Sequence, residues 1–308
     1  MKQLNHLRQY QETKSCILTI GTFDGVHLGH QKILESLVRE AKQKDLFANV
    51  LTFFPHPRMI LQQDQSIKLI DTMEEKKEVL QALGIDHLII HPFSERFSRL
   101  SASEFTRNIL IDQLHASKVI VGYDHRFGRN REATADDLKR LGRTYNFEVS
   151  TITPLEVSSI AVSSTKIRAA ITAGNIKAAN KYLNRPYQII GKVVEGDRIG
   201  RTISFPTANI KVESTYKLLP AKGVYLVTIL YGGEKIYGVM NYGIRPTLRA
   251  KEPSLEVHLF NFKKDIYGET LVISLLLKIR DEQKFDSLSA LKDQIEKDKA
   301  FCLKHIEQ

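Results

Sequence analysis

Cysteine is nearly absent: only Cys16 and Cys302 occur, far apart in the chain. That excludes a disulfide framework and fits a reducing cytoplasm. Long apolar runs are missing too. The best, Leu271 to Leu277, is strand-sized and interrupted by Ser274, well short of the roughly 20 residues of a membrane span. The opening MKQLNHLRQYQETKSC is polar and has no apolar h-region, which predicts no secretory signal. Acidic residues are the minority, 35 Asp and Glu against 45 Lys and Arg, a formal charge of +10. A basic balance attracts polyanions. Zinc-finger spacing and an RNA-recognition aromatic box are both absent, however, and the lysine-rich stretch Lys292 to Lys304 alternates with Asp293, Glu296 and Asp298 as a solvated helix face does. Nucleic acid is therefore disfavoured as a partner, leaving a generally basic surface or sites built for nucleotides and phosphate esters. The expectation is a soluble cytoplasmic protein with no membrane partner; self-association is left open.

What is present suits two compact domains. Of 308 residues, 42% are hydrophobic and 26% charged, enough to bury two cores. The first part alternates strands and helices. Ser15 to Ile20, Ala48 to Phe54, His87 to Ile90, Lys118 to Val121 and Glu148 to Ile152 read as strands. Between them, Asp71 with Glu74, Ser101 with Glu104 and Thr134 with Asp137 mark helix starts. This rhythm predicts a parallel α/β sheet covered on both faces. After Asn184-Arg185-Pro186 the helices stop. Tyr187 to Val194, Gly223 to Leu230, Lys235 to Met240, Leu255 to Phe262 and Thr270 to Ile279 read as strands of an antiparallel sheet or barrel. An amphipathic helix from Ser287 closes the chain, with Leu288, Leu291, Ile295 and Cys302 on one face. The expected domains are 1–185 and 186–308.

The first candidate site is Gly21-Thr22-Phe23-Asp24-Gly25-Val26-His27-Leu28-Gly29-His30, directly after the first strand. Three glycines permit a tight turn close to a ligand. The turn delivers two imidazoles at a helix start, where free amides and the macrodipole favour phosphate. There His27 and His30 can donate to the oxygens of a phosphate under attack. A zinc reading of His27 and His30 with His56 stays open, although no nearby cysteine or carboxylate completes a ligand set.

His-x-Gly-His after a strand and glycine turn resembles the signature of the nucleotidyltransferase superfamily. With GTFDGVHLGHQ, TFFPHP at Thr52 to Pro57, VGYDHRFGRNRE at Val121 to Glu132 and SSTKIR at Ser163 to Arg168, the first half resembles the adenylyltransferase half of bacterial bifunctional riboflavin kinase/FAD synthetases. The resemblance implies a Rossmann-like nucleotidyltransferase domain with catalytic His27, His30 and Arg168. It also implies nucleotide or flavin contacts from Gly21, Thr22, Phe23, Asp24, Gly25, Gly29, Phe54, His56, Pro57, Gly122, Asp124, Phe127, Ser163, Ser164 and Thr165. Ser163 to Thr165 at a helix start, with Arg168 one turn on, suit the leaving pyrophosphate. His125 departs from the family, many of whose members have an aromatic residue there.

In the second half, GRTISFPTANI from Gly200 to Ile210 resembles the PTAN signature of riboflavin kinases, with Ser204 where glycine is common. Gly223-Val224-Tyr225, Asn241 to Thr247, Leu255 to His258 and Ile279 to Glu282 follow in that family's order. The resemblance implies an antiparallel β-barrel kinase with Glu256 as base for the riboflavin 5′-hydroxyl and contacts from Gly200, Arg201, Pro206, Thr207, Asn209 and Arg280. Thr207 and Asn209 offer hard oxygen ligands for Mg2+ carried with ATP. Read alone, Pro-Thr-x-Asn is a turn before a strand. The two reactions differ in demand. Riboflavin's hydroxyl must lose a proton as it attacks ATP, so a base is useful. The FMN phosphate is already ionised and needs only charge cancelled around it.

Overall fold

The computed structural model describes residues 1–63, 66–152, 162–196, 205–244 and 253–306. Gly200, Arg201 and Ser204, and Arg245 to Thr247, lie outside the described residues. Contacts divide the chain into two compact units, Met1–Ser164 and Thr165–Gln308.

In the first unit, strands β1 (Lys2–Leu4), β2 (Cys16–Ile20), β3 (Phe47–Phe53), β4 (His87–His91), β5 (Ala116–Gly122) and β8 (Glu148–Ile152) form one sheet in the order β1-β4-β3-β2-β5-β8. Every pairing in it is parallel. Two short strands, β6 (Arg126–Phe127) and β7 (Ala133–Thr134), pair separately. The helices are α1 (Leu28–Gln43), α2 (Pro57–Leu61), α3 (Met73–Ala82), α4 (Glu95–Ser98), α5 (Ala102–Phe105) and α6 (Ala135–Tyr145). Strand side chains alternate between two cores. Cys16, Leu18 and Ile20 pack with Leu110, Val119 and Leu138, whereas Ile17 packs with Leu34, Leu37, Val50 and Leu80. A two-residue period with both faces buried is the signature of a sheet sandwiched between helices.

The capping boxes at Ser101/Glu104 and Thr134/Asp137 form as expected. The third is displaced by one residue: Thr72, not Asp71, caps α3, and its box partner is Glu75, not Glu74. Both registers satisfy the cap pattern. The one that forms buries Glu75, Lys76 and Leu80 on the inner face of the helix. The edge strand β1 gave no sequence signal, because three residues are too few for a periodic pattern.

The second unit is a closed antiparallel barrel. It contains β9 (Tyr187–Val194), β10 (Ala208–Lys211), β11 (Gly223–Tyr231), β12 (Glu234–Ile244), β13 (Pro253–Leu259) and β14 (Thr270–Arg280), ordered β10-β13-β12-β11-β14-β9. Closure removes the exposed edges that an open sheet would leave. Helix α9 (Leu288–Ile306) packs on it through the fully buried Cys302, with Leu226, Phe260 and Leu277 beneath. Two further helices, α7 (Ser164–Thr172) and α8 (Ile176–Leu183), run before β9. From α8, Asn180 donates to the Leu275 carbonyl at 2.9 Å and accepts from the Tyr187 amide at 2.7 Å. The Ala221 amide also bonds the Ile171 carbonyl. The contact division thus falls 21 residues before the boundary expected at 185/186, and these bonds tie α8 to the barrel strands β9 and β14 and α7 to the segment just before β11.

Candidate functional site

The sheet order reverses between β2 and β5: β3 and β4 lie to one side of β2, β8 to the other side of β5. Ligands of open α/β sheets bind at such a crevice, beyond the carboxyl ends of the strands. The Gly21–His30 turn leaves β2 there, and the Gly122–Gly128 loop leaves β5 there. The turn is held tightly. Its Gly21 amide bonds Leu51 O on β3, and Phe23, Asp24, Val26 and His27 are all buried. Gly25 sits at φ 87, where glycine is at ease. Phe23 at φ 45 and Val26 at φ 39 are in the same left-handed region without that excuse. A β-branched residue there is strained, and such strain concentrates at functional sites.

His27 caps α1, its Nδ1 accepting from the His30 amide at 3.4 Å. That leaves Nε2 to carry the proton of the neutral ring. The His30 ring stacks on His27 with centroids 3.7 Å apart and meets Phe23 edge-on at 5.2 Å. His30 Nδ1 is buried with no partner among the described residues. Burial pushes His27 down to about 4 and His30 well below its ordinary value, the latter helped by His27 and by Lys76. Both rings are therefore neutral near pH 7. Among the described residues no three His, Cys, Asp or Glu side chains gather to hold a metal.

The other residues expected at this site divide into three groups. Asp24 and Ser164 come together: Asp24 Oδ1 accepts from the Ile70 amide at 2.9 Å, and Asp24 O accepts from Ser164 Oγ at 2.9 Å. Asp124 is exposed and close enough to raise His27 slightly against its burial. Gly122 ends β5, Gly29 is buried in the first turn of α1, and Ser163 precedes α7. Others make structural contacts of their own. Phe127 is buried in the core against Phe105, and His56 caps α2, with Pro57 as its first residue and Phe54 packed on the core. Thr165 and Arg168 lie on α7 in the second unit.

The sequence reading missed Lys76. It lies on α3, 2% exposed, and its Nζ donates to Thr22 O at 2.8 Å. Thr52 Oγ1 donates to the same carbonyl at 3.3 Å. Its inward position follows helical spacing from the Thr72 cap, but only with the correct cap register.

In the barrel, Glu256 on β13 is half-buried between the buried Leu255 and Val257, so it faces away from the core as alternation predicts. The register sets Asn209 of β10 opposite Glu256, and Asn241 of β12 opposite it on the other side. Thr207 Oγ1 donates to Glu256 Oε2 at 3.2 Å, and Ser254 Oγ to Oε1 at 3.4 Å. A Cβ added to Gly196 would collide with the Asn209 side chain, so the chain passes closely over that amide. Pro206 O accepts from His258 Nδ1 at 2.8 Å. Arg280 stands apart from this group. Its Nε and Nη2 grip the buried Asp298 of α9 at 2.8 to 3.0 Å and its Nη1 bonds Asp281 O. Its donors are committed to fastening the closing helix.

Comparison with known proteins fits this division. A family model for FAD synthetase matches residues 9–166, and one for riboflavin kinase matches residues 183–306. The bifunctional riboflavin kinase/FMN adenylyltransferase of Escherichia coli K12 is 38% identical over 286 residues, 92% of this chain and 91% of that protein. The Bacillus subtilis protein of the same description is 37% identical over 309 residues, 98% of this chain and 95% of its own. A solved structure described as a macrolide-efflux protein from Streptococcus pneumoniae superposes with a TM-score of 0.88 at 33% identity, covering 97% of both chains. Among the described residues here, no helix is long and apolar enough to cross a membrane.

Proposed function

The chain belongs to the family of bifunctional riboflavin kinases/FMN adenylyltransferases, and from that membership we propose how its residues divide the two reactions. The enzyme phosphorylates riboflavin to FMN and adenylylates FMN to FAD, with ATP as the donor in both. Phosphoryl transfer falls to the barrel. Glu256 takes the proton of the riboflavin 5′-hydroxyl as that oxygen attacks the terminal phosphate. Thr207 and Asn209, hard oxygen donors beside a carboxylate, suit a magnesium ion brought with ATP. Bound there, the ion supplies charge neutralisation on the phosphates. The observation that carries this reading is the convergence of Thr207, Asn209 and Glu256 on one edge of the barrel, from segments far apart in the chain.

Adenylyl transfer falls to the switch-point turn. The FMN phosphate arrives ionised, so no base is required, and the neutral rings of His27 and His30 donate N–H bonds to the α-phosphate oxygens as charge grows there. Asp24 and Ser164 hold the turn's shape. Arg168 serves the leaving pyrophosphate on the strength of the family motif. The cytoplasm is the proposed compartment, where both buried cysteines stay reduced. Incubation with ATP, Mg2+ and riboflavin, followed by chromatography of the flavins, tests the whole scheme. FMN then FAD is the expected sequence of products. FMN alone, or flavin bound but unchanged, would reduce the protein to a single-activity enzyme or a flavin-binding regulator.

A further inference from the structure

The switch-point turn itself brings no charged donor to adenylyl transfer. Two anions, the FMN phosphate and the ATP triphosphate, must approach each other, yet both imidazoles of the turn are neutral. A neutral N–H donor stabilises growing charge less well than a charged one. Lys76 lies beside the turn and has been given no role. Its ammonium has three N–H donors and is cut off from water. Its partners are one carbonyl, Thr22 O at 2.8 Å, and the Met73 sulfur at 4.0 Å. A buried ammonium held so sparsely is costly unless something offsets it, so a purely structural lysine would be an expensive way to hold one carbonyl. The fold also goes to some length to set it there. Its helix is capped by Thr72 and Glu75, and the chain just before that helix is pinned to the turn by the Ile70–Asp24 bond.

We propose that Lys76 is a positioning residue of the adenylyl-transfer site: its buried ammonium fixes the Thr22 carbonyl at the start of the turn and supplies the positive field in which the His27–His30 pair works. A charge in a low-dielectric interior acts over several ångströms without contact, and a fixed charge needs no reorganisation as the transition state forms. The groups around it have been arranged to suit. Burial lowers the lysine from its ordinary value, and the carboxylates of Asp24 and Asp71 oppose this by favouring its charged form. His30 feels Lys76 and His27, and His27 in turn feels Asp124.

The proposal rests on adenylyl transfer taking place at this turn, and the two fail separately. If His30→Ala makes FAD at the wild-type rate, the turn is the wrong site. If His30→Ala is inactive while Lys76→Met is fully active, only the role of Lys76 is lost. The experiment measures FAD formation from FMN and ATP against pH in full-length wild type, Lys76→Met and Lys76→Arg, with riboflavin phosphorylation in the same samples as the control. Lys76→Met should lose about tenfold or more in kcat, with KM for ATP and the kinase rate little changed. Its His30-linked inflection should move to higher pH, because removing a cation favours ring protonation. Lys76→Arg should recover part of the rate. A Lys76→Met rate within twofold of wild type overturns the proposal, as does a loss of rate with an unmoved inflection, which would mark a mere structural clamp. Should Lys76→Met not fold, the ring nitrogen shifts of His30 in the wild-type protein decide. The ring should stay neutral at about pH 6, where an unperturbed histidine is mostly protonated, and a His30 found protonated there overturns the proposal.

Discussion

The two sites proposed for this chain would handle the same co-substrate with opposite construction. The first is a single continuous turn of ten residues, rigid, strained and buried, whose imidazoles have been stripped of charge by their surroundings. The second is assembled from a hydroxyl just before β10, an amide on β10 and a carboxylate on the neighbouring β13, half-buried. The difference follows the chemistry. A nucleophile that is already ionised needs fixed donors in exact positions, which a stiff turn at a helix start provides. A neutral hydroxyl needs a base and a metal, and both work best where water and the metal's own ligands have access. On that proposed assignment, the demand for a base, more than the identity of the nucleotide, decides how each phosphate site is built.

The sharpest way to break this comparison is Glu256→Gln, which keeps the shape and removes the base. Riboflavin phosphorylation should fall about a thousandfold, within the span of general-base effects. FAD formation from supplied FMN should be untouched, and ATP and riboflavin should still bind, by titration calorimetry. A variant with full turnover would show that the carboxylate is only a strand residue. His30→Ala is the converse. Adenylyl transfer should drop by about a hundredfold, as for loss of one transition-state donor, while the kinase rate holds; equal loss of both would indicate unfolding.

Truncation sharpens the comparison at the level of the units. Fragments 165–308 and 186–308 should both phosphorylate riboflavin and make no FAD. The longer should melt at least about 5 °C higher, because the shorter loses the Asn180 bonds and the buried Ile167, Ile171, Ile176 and Leu183. Equal melting temperatures would put the functional boundary back at 185/186.

Acid should separate the units further. Burial lowers His27, His91 and His125 to about 4 in the folded first unit, against about 6.5 in an unfolded chain. Between these values the unfolded chain binds the extra protons, so stability falls as pH drops from about 6.5 to 4. In scanning calorimetry the transition of the first unit should shift down more than that of the barrel, where His258 is the one histidine that burial lowers among the described residues. A parallel shift of both would remove the histidines as the cause. The smallest effect concerns the cysteines. Cys16 and Cys302 are buried, with thiols pushed up to about 12. Neither should react with a thiol reagent in the native protein, and prompt labelling of Cys302 would mean that α9 detaches readily from the barrel.

How much of this was legible beforehand varies with sequence distance. A strand with a two-residue period, Tyr187–Val194, was placed at its true ends, because alternation is a local consequence of pleating. The His-x-Gly-His turn and the PTAN segment were readable for the same reason: each packs its chemistry into a few consecutive residues. Sequence by itself therefore determined the two folds, the two chemistries and the residues that lie within one motif. Only the tertiary structure decided which distant residues meet. It brought Glu256 to Thr207, 49 positions away, and Lys76 to Thr22, 54 away. It also drew Arg280 off to Asp298, and bonded α8 to β9 and β14. Periodicity records which way a side chain faces but not what it will find there, since the partner is chosen by strand order, register and packing across the whole unit.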